Sequence, residues 1–316
     1  MNYNDKPYYE FGDFLKKVFP FKVQKISVNA GFTCPNRDGT KGWGGCTYCN
    51  NQTFSPDYCQ TGKTVKEQLE EGIGFFSRKY TEMKYLAYFQ AYTNTYDETN
   101  KLIAKYEEAL ACPDVVGLIV GTRPDCMPDD LLDYFADLSR RRFVMIEYGI
   151  ESTLDRTLSL INRGHTHAES ENTIRRTAER GIYTGAHLIL GLCGESREEI
   201  LHHAEVLSAL PLTTLKLHQL QLIKGTVMAK EYAGRPDTFH LYEVDEYIDL
   251  VIDFLERLNP SIAVERFVSQ SPKELLIAPD WGLKNYEFTA KVNKRIVARK
   301  AFQGRLFPLI FCNGQN

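Results

Sequence analysis

Short apolar runs recur along the first two thirds of the chain, and segments with helical spacing of apolar residues separate them. The runs predict strands at residues 23–29, 85–90, 115–121, 143–150, 183–191 and 213–222. The intervening periodicity predicts helices over residues 65–80, 98–110, 128–140, 153–161, 168–180 and 197–210. Regular alternation of strand and helix indicates an α/β protein with a parallel sheet, either open or curled into a full or partial barrel.

Beyond residue 225 this alternation fades. The pattern predicts a helix at 242–258, a short strand at 262–267 and a basic helix that begins near Phe288. We therefore expect an N-terminal lead-in over residues 1–20, a core barrel over 21–225 and a C-terminal extension with a basic tail over 226–316. Catalytic residues of such folds gather where parallel strands end.

Composition is that of an ordinary globular protein. The 316 residues are 43% hydrophobic and 25% charged, with a formal net charge of −3. This charge gives no global attraction to nucleic acid or to an anionic membrane. The first ten residues lack the pattern of a signal peptide, and no run approaches the roughly 18 apolar residues of a membrane span. We predict a cytoplasmic protein that does not insert into membranes.

Three of the eight cysteines, Cys34, Cys46 and Cys49, lie in a glycine-rich loop after the first predicted strand. Thiolates select zinc or iron–sulfur clusters. A structural zinc site needs a fourth Cys or His, for which Cys59 is the nearest candidate. The sequence favours a cluster with one iron left open, and a structural zinc module and incidental cysteines stay as alternatives. The scattered remaining thiols are expected to be structural: Cys112, Cys126, Cys193 and Cys312.

The cysteine loop, with Tyr48 just before its last cysteine, resembles the signature of the radical S-adenosylmethionine (SAM) superfamily. Eleven residues separate Cys34 from Cys46, a long gap that is similar to that of the branch containing the Elongator catalytic subunit. The segments Thr-Arg-Pro-Asp at 122–125 and Asn-Arg-Gly-His-Thr at 162–166 resemble the same branch. The stretch Gly-Phe-Thr-Cys-Pro-Asn-Arg-Asp-Gly-Thr at 31–40 resembles the bacterial YhcC/YtqA-type radical SAM proteins most closely.

This resemblance implies a partial (β/α)6 TIM-like barrel of radical SAM type with a small α+β C-terminal extension. It implies a 4Fe–4S cluster on Cys34, Cys46 and Cys49, whose open iron binds SAM. Reductive cleavage of SAM would then yield a 5′-deoxyadenosyl radical that abstracts hydrogen from an unidentified substrate. The expected partners are SAM, an external electron donor of the flavodoxin or ferredoxin type, and modified tRNA, which the Elongator branch suggests as substrate.

Residues for SAM binding follow from the resemblance and from strand position. Thr93 and Asn94 end the second strand, where an ordinary polar turn is the alternative. Glu151 is expected to bind the ribose hydroxyls and Arg163 the SAM carboxylate, with a structural ion pair as the alternative. His187 stands where related enzymes contact SAM, although a strand histidine is often a core residue. Tyr48 completes the set.

The segment from Phe288 onward carries basic residues and no acid, which would suit contact with RNA phosphates. The basic residues are Lys291, Lys294, Arg295, Arg299, Lys300 and Arg305. A solvated helix face is the commoner meaning of such a run, and a tRNA-binding factor without radical chemistry is a further alternative. We expect His202 and His203 to form a solvated surface pair.

Overall fold

The computed structural model describes residues 6–53, 56–77 and 82–308. The helices in these ranges are α1 (Phe11–Val18), α2 (Val65–Ser77), α3 (Thr99–Leu110), α4 (Asp129–Ser139), α5 (Asp155–Leu160), α6 (His167–Glu179), α7 (Arg197–Ser208), α8 (Val227–Gly234), α9 (Val244–Arg257) and α10 (Asn285–Arg299). The strands are β1 (Lys22–Val28), β2 (Met83–Phe89), β3 (Val115–Thr122), β4 (Phe143–Glu151), β5 (Tyr183–Leu190), β6 (Thr214–Gln219), β7 (Leu222–Ile223), β8 (Ala263–Arg266) and β9 (Leu276–Ala278).

The main sheet of the described chain has seven strands in the order β1-β2-β3-β4-β5-β6-β8. Every neighbouring pair is parallel, so the carboxyl ends of the strands share one rim. The sheet is curled into a half-barrel with helices outside it, which confirms the predicted partial barrel of α/β class. The short strands β7 and β9 form a separate antiparallel pair.

The sheet contains one more strand than the sequence indicated. The strand expected at 262–267 was assigned to the C-terminal extension, but β8 pairs in parallel with β6. Helix α9 supplies the crossover between them, as a parallel pair requires. One side of α9 is buried and packs on α7 outside the barrel. Residues 262–267 are thus part of the barrel wall.

Helix α1 closes the amino-terminal end of the barrel, in the segment expected to be only a lead-in. Phe11 and Phe14 on α1 belong to an apolar cluster with inward-facing residues of the strands, among them Leu86, Phe143 and Met145. The separate and larger core cluster lies between the outer face of the sheet and the helices. An apolar floor therefore seals the end of the barrel opposite the strand carboxyl ends.

The helix boundaries agree with the sequence to within a few residues. Helix α2, predicted to reach residue 80, is described to Ser77, and residues 78–80 lie outside the described ranges, as does Cys312. Side chains of Thr166 and Ser196 cap α6 and α7 in reciprocal capping boxes, which satisfy free backbone N–H groups. No helix in the described part of the chain is long and apolar enough to cross a membrane.

Candidate functional site

A cavity opens at the carboxyl ends of the strands, and the three thiols of the cysteine loop line it. Opposite them stand side chains from β4, β5, β6 and β8. The lining includes Cys34, Arg37, Cys46, Tyr48, Cys49, Tyr88, Thr93, Arg123, Glu147, Glu151, Arg163, His187, His218, Gln221, Arg266, Ser269 and Ser271. The loop and the barrel wall therefore face one shared space.

The cysteine loop is held in place by hydrogen bonds to its own backbone and to the turn after α5. Asn162 Nδ2 donates to the Gly45 carbonyl over 2.9 Å, and Arg37 Nη2 donates to the Cys49 carbonyl over 3.1 Å. Asn36 Nδ2 donates to the Asn162 carbonyl. Gly45 has φ 81°, and a Cβ there would lie 3.0 Å from the Arg37 side chain. Only glycine fits this position without displacing the arginine.

The three thiols do not form a ready site for a single ion. In the described residues, no group of three His, Cys, Asp or Glu side chains is placed to hold a metal ion. A tetrahedral zinc with bonds of about 2.3 Å would need such convergence, whereas a 4Fe–4S cluster takes each thiolate on a different iron. Burial and the neighbouring Cys46 raise the pKa of the Cys49 thiol to about 11. Binding of a metal group must therefore supply the attraction that ionises it.

Cys59, the candidate fourth zinc ligand, lies away from this cavity. Its thiol is buried and donates to the Ser27 carbonyl, 3.0 Å away, on β1. Burial raises the pKa of Cys59 to about 12. Cys59 is thus a structural residue in this arrangement, and it offers a matched control for the loop cysteines.

Arg163 and Glu151 form a buried ion pair beside the thiols. Arg163 Nη1 lies 3.5 Å from Cys46 Sγ, and Arg163 Nη2 lies 2.6 Å from the Gly149 carbonyl and 3.6 Å from Glu151 Oε1. Glu151 sits at an irregularity of β4 with φ 68°, a strained backbone for a non-glycine residue. Burial raises the pKa of Glu151 despite the attraction of Arg163. A Cβ on Gly149 would lie 2.6 Å from both side chains.

Several buried polar atoms around the cavity lack a partner, and these test whether a polar cofactor fits. Arg163 Nε and Arg123 Nη1, on two residues that line the cavity, are buried without a hydrogen bond. Buried polar groups are normally paired. A donor-rich wall next to three thiols suits a ligand that combines a carboxylate with a metal-bound amine, as SAM does on a cluster. The residues that line the cavity therefore fit a 4Fe–4S cluster and SAM.

The other residues predicted to bind SAM divide into two sets. Tyr48, Thr93 and His187 line the cavity. Asn94 is fully buried outside the cavity lining, and its Nδ2 donates to the Gly121 carbonyl over 2.8 Å, which ties the end of β2 to β3. Contact of each with SAM stays a prediction.

A belt of charged residues crosses the barrel between the apolar floor and the cavity, and His187 is the member of it that was predicted from the sequence to lie in the site. Glu147 Oε1 is 2.9 Å from Lys25 Nζ, and Glu147 Oε2 is 3.0 Å from His187 Nε2 and also contacts Lys216 Nζ. Lys216 Nζ is 3.1 Å from Glu265 Oε1. Polar residues that alternate with leucines on β6 were a signal for this belt.

Charge pairing fixes the protonation of this charged belt. Burial by itself would raise the pKa of Glu147, but Lys216, Lys25 and the hydrogen bond from His187 hold it well below its usual range. Burial and the nearby Lys216 lower the pKa of His187 to about 4. At neutral pH Glu147 is thus a carboxylate and His187 a neutral imidazole.

His203 was wrongly expected to be a solvated surface residue. It is fully buried on α7, with Nδ1 2.6 Å from Thr153 Oγ1 and Nε2 3.3 Å from Glu195 Oε2. The helical period turns His203 toward the sheet while His202 stays exposed. The two histidines therefore lie on different faces of the same helix.

The basic tail is partly neutralised within the protein. On α10, Arg295 Nη1 lies 2.8 Å from Asp249 Oδ2, and Arg299 Nη1 lies 3.2 Å from Asp249 Oδ1. Beyond the helix, Arg305 pairs with Glu256. These arginines lie against the acidic face of α9. The exposed lysines of the tail have no ion pair among the described residues: Lys291, Lys294 and Lys300.

Comparison with known proteins gives relatives along nearly the whole chain. The protein YtqA of Bacillus subtilis is 36% identical over 96% of this chain and 94% of its own length. Protein YhcC of Escherichia coli K12 is 37% identical over 86% of each chain. A tRNA uridine(34) acetyltransferase of Dehalococcoides mccartyi is 25% identical over 60% of this chain and 42% of its own length.

Solved structures confirm the fold. The archaeal Elp3 of Methanocaldococcus infernus, with residues 1–46 deleted, superposes with a TM-score of 0.67 at 15% identity. The match covers 90% of this chain and 64% of that chain. At this identity the likeness concerns the fold alone.

Family models match most of the chain. Residues 32–207 match the model of the radical SAM superfamily, and residues 212–298 match the radical SAM C-terminal domain. Enzymes of this family use a 4Fe–4S cluster and SAM. With these matches, and with three thiols and a buried Arg163–Glu151 pair facing one cavity, the chain belongs to the radical SAM superfamily.

Proposed function

We propose that Cys34, Cys46 and Cys49 hold the 4Fe–4S cluster of this enzyme and that SAM binds beside it in the same cavity. The observation that carries this proposal is the presence of the three thiols in one cavity with Arg163, whose Nη1 is 3.5 Å from Cys46 Sγ. A cluster held by these thiols would pass on the electron that cleaves SAM to methionine and a 5′-deoxyadenosyl radical. The protein supplies orientation and exclusion of water.

Arg163 and Glu151 are the residues that we assign to orient SAM. The Arg163 guanidinium keeps a free Nε in a buried position, and a fork of donors suits a carboxylate. Glu151 is held at the cavity by its unusual backbone and accepts hydrogen bonds, which suits ribose hydroxyls. Tyr48 and Thr93 complete the wall around this pair, and His187 faces it from β5.

We propose tRNA as the substrate class. The support is the match to a relative whose name is tRNA uridine(34) acetyltransferase. The internal ion pairs of Arg295, Arg299 and Arg305 remove much of the basic tail as an RNA contact. An external donor of the flavodoxin or ferredoxin type would deliver the electron.

The cofactor chemistry is tested by anaerobic cluster reconstitution, reduction with dithionite and assay of 5′-deoxyadenosine from SAM. Wild type and Cys59→Ala should form the product, and Cys46→Ala should form none, because Cys46 lines the cavity and Cys59 does not. Iron content measured on the same samples separates loss of cluster from loss of turnover. Colourless protein with bound zinc and no product in the wild type would overturn the proposal.

The substrate class is tested separately with the active holoenzyme. Transfer RNA from cells that lack this protein should increase the rate of 5′-deoxyadenosine formation, and it should change in mass during the reaction. Transfer RNA from normal cells is the matched control, because it already carries the modification. Equal rates with both, and unchanged mass, would exclude tRNA as the substrate.

A further inference from the structure

Arg266, a cationic residue of the cavity wall, has no carboxylate to balance it. Arg266 ends β8 and lines the cavity on the side opposite the cysteine loop. Among the described residues, no carboxylate oxygen lies within ion-pair distance of its guanidinium, and its Nε is buried without a hydrogen-bond partner. Removing a guanidinium from water without an anion is unfavourable. The position of Arg266 therefore calls for an anionic partner from outside the protein.

The neighbouring carboxylates are already committed elsewhere. Glu147 and Glu265 each contact both Lys25 and Lys216, and Glu147 also accepts from His187. The charged belt is therefore electrically neutral without Arg266. The two lysines balance the two acids of the belt, so the belt has no net negative charge that could pair with the Arg266 guanidinium.

A bulge in β8 places Arg266 at the cavity. The pairing of β8 with β6 shifts between Leu215 and Lys216, so that Glu265 is the additional residue. As a result, Glu265 contacts Lys216 within the belt while the next residue, Arg266, reaches the cavity wall. Bulges commonly re-aim side chains next to functional sites.

Neutral hydrogen-bonding groups surround the guanidinium. Arg266 Nη2 is 3.0 Å from His218 Nε2, and burial together with Arg266 holds the pKa of His218 well below its usual range. Arg266 Nη2 also lies 3.3 Å from His218 Nδ1, so the neutral imidazole accepts through whichever ring nitrogen carries no proton, and the other nitrogen carries the N–H. Ser271 Oγ donates to Gln221 Oε1 over 2.8 Å, which leaves the Gln221 NH₂ group as a donor. Ser269 lines the same side of the cavity.

We propose that the substrate carries an anionic oxygen group, a carboxylate or a phosphate, that binds to Arg266 and His218 at the β6–β8 side of the cavity. This proposal rests on the proposed function, because it places SAM at Arg163 and the substrate across the cavity from it. The anion would fix which part of the substrate faces the SAM site. Arg266 is then a specificity-determining residue.

The test measures anion binding directly, in protein with its cluster reconstituted, kept oxidised and saturated with SAM. Inorganic phosphate and acetate are the two probes, followed by ³¹P and ¹³C line broadening during titration. The variants are Arg266→Gln and Arg266→Lys. Arg235→Gln is the matched control, because it removes the same charge from an exposed position. SAM affinity and thermal unfolding are measured on every sample.

We expect wild type and Arg235→Gln to bind at least one probe equally. Arg266→Gln should weaken that binding roughly 10- to 100-fold, as expected for a charge-assisted pair, and Arg266→Lys should weaken it less. SAM affinity should be unchanged in all variants. The probe that binds identifies the group as phosphate or carboxylate.

Two results would overturn the proposal. The first is anion binding that is absent from the wild type or unchanged in Arg266→Gln. The second is a loss of SAM affinity in Arg266→Gln, which would assign Arg266 to the SAM site. Failure of the proposed function is separate, because it appears as absence of 5′-deoxyadenosine from the wild-type enzyme whatever the anion binding.

Discussion

The replacement Glu147→Gln should destabilise the barrel strongly, although glutamine has nearly the same shape. The Glu147 side chain is 1% exposed and contacts Lys25, Lys216 and His187. Without its charge, two buried ammonium groups would share the single carboxylate of Glu265. Removing one partner of a buried ion pair costs about 3–5 kcal/mol, a large part of the roughly 5–15 kcal/mol that stabilises a typical fold.

Urea unfolding of the metal-free protein, followed by circular dichroism at neutral pH, measures this effect. We expect about 3 kcal/mol, at the lower end of the range, because Glu265 still balances one lysine. Glu171→Gln is the control, since the exposed pair of Glu171 with Arg175 on α6 should contribute less than about 1 kcal/mol. The double variant Glu147→Gln/Lys216→Met should recover part of the loss, because it removes the excess charge. Equal unfolding midpoints for Glu147→Gln and Glu171→Gln would refute this reasoning.

Three further predictions follow from the cavity. Arg163→Lys should weaken SAM binding by roughly 10- to 100-fold, since an ammonium group cannot bridge Gly149 and Cys46 as a guanidinium does; equilibrium dialysis measures it, and unchanged affinity would contradict it. Gly149→Ala should also weaken SAM binding in the same assay, because its Cβ would displace Arg163 and Glu151, while Gly74→Ala, where a Cβ meets nothing within 4 Å, should not. Stability should fall as pH drops from about 6.5 toward 4. Burial lowers the pKa of His187 to about 4 in the folded state, so in this range the imidazole takes up a proton in the unfolded state and stays neutral in the folded state. A melting temperature independent of pH in this range would contradict the prediction.

The barrel wall was predictable because its strands are short apolar runs and the apolar residues of its helices recur at helical spacing. Strands β1 to β6 are apolar and short, and capping residues precede several helices. Strand β8 was recognised as a strand but placed outside the barrel, because a four-residue segment does not reveal its pairing partner. Helix α1 was missed although Phe11, Phe14, Leu15 and Val18 recur at helical spacing, because its eight residues fall short of the roughly 11-residue window over which such spacing predicts a helix.

The candidate site, like the fold, was predictable from the sequence only in part. The cysteine loop could be found from sequence because its ligands are close along the chain. Glu147 is an acid on a buried strand, but its partners Lys25, His187 and Lys216 come from β1, β5 and β6 and meet it only in the curled sheet. The sequence around Arg266 did not indicate a binding role. That role depends on the three-dimensional pairing of the nearby carboxylates with Lys25 and Lys216.

The electron paramagnetic resonance spectrum of the reduced protein, recorded with and without SAM, tests the central claim most directly. Cluster ligation by Cys34, Cys46 and Cys49 beside Arg163 predicts a 4Fe–4S signal in the wild type that changes when SAM is added. Cys46→Ala should lose the signal, and Arg163→Lys should keep it but need more SAM for the change. A wild-type cluster signal that SAM leaves unaltered, or a full signal in Cys46→Ala, would contradict the account.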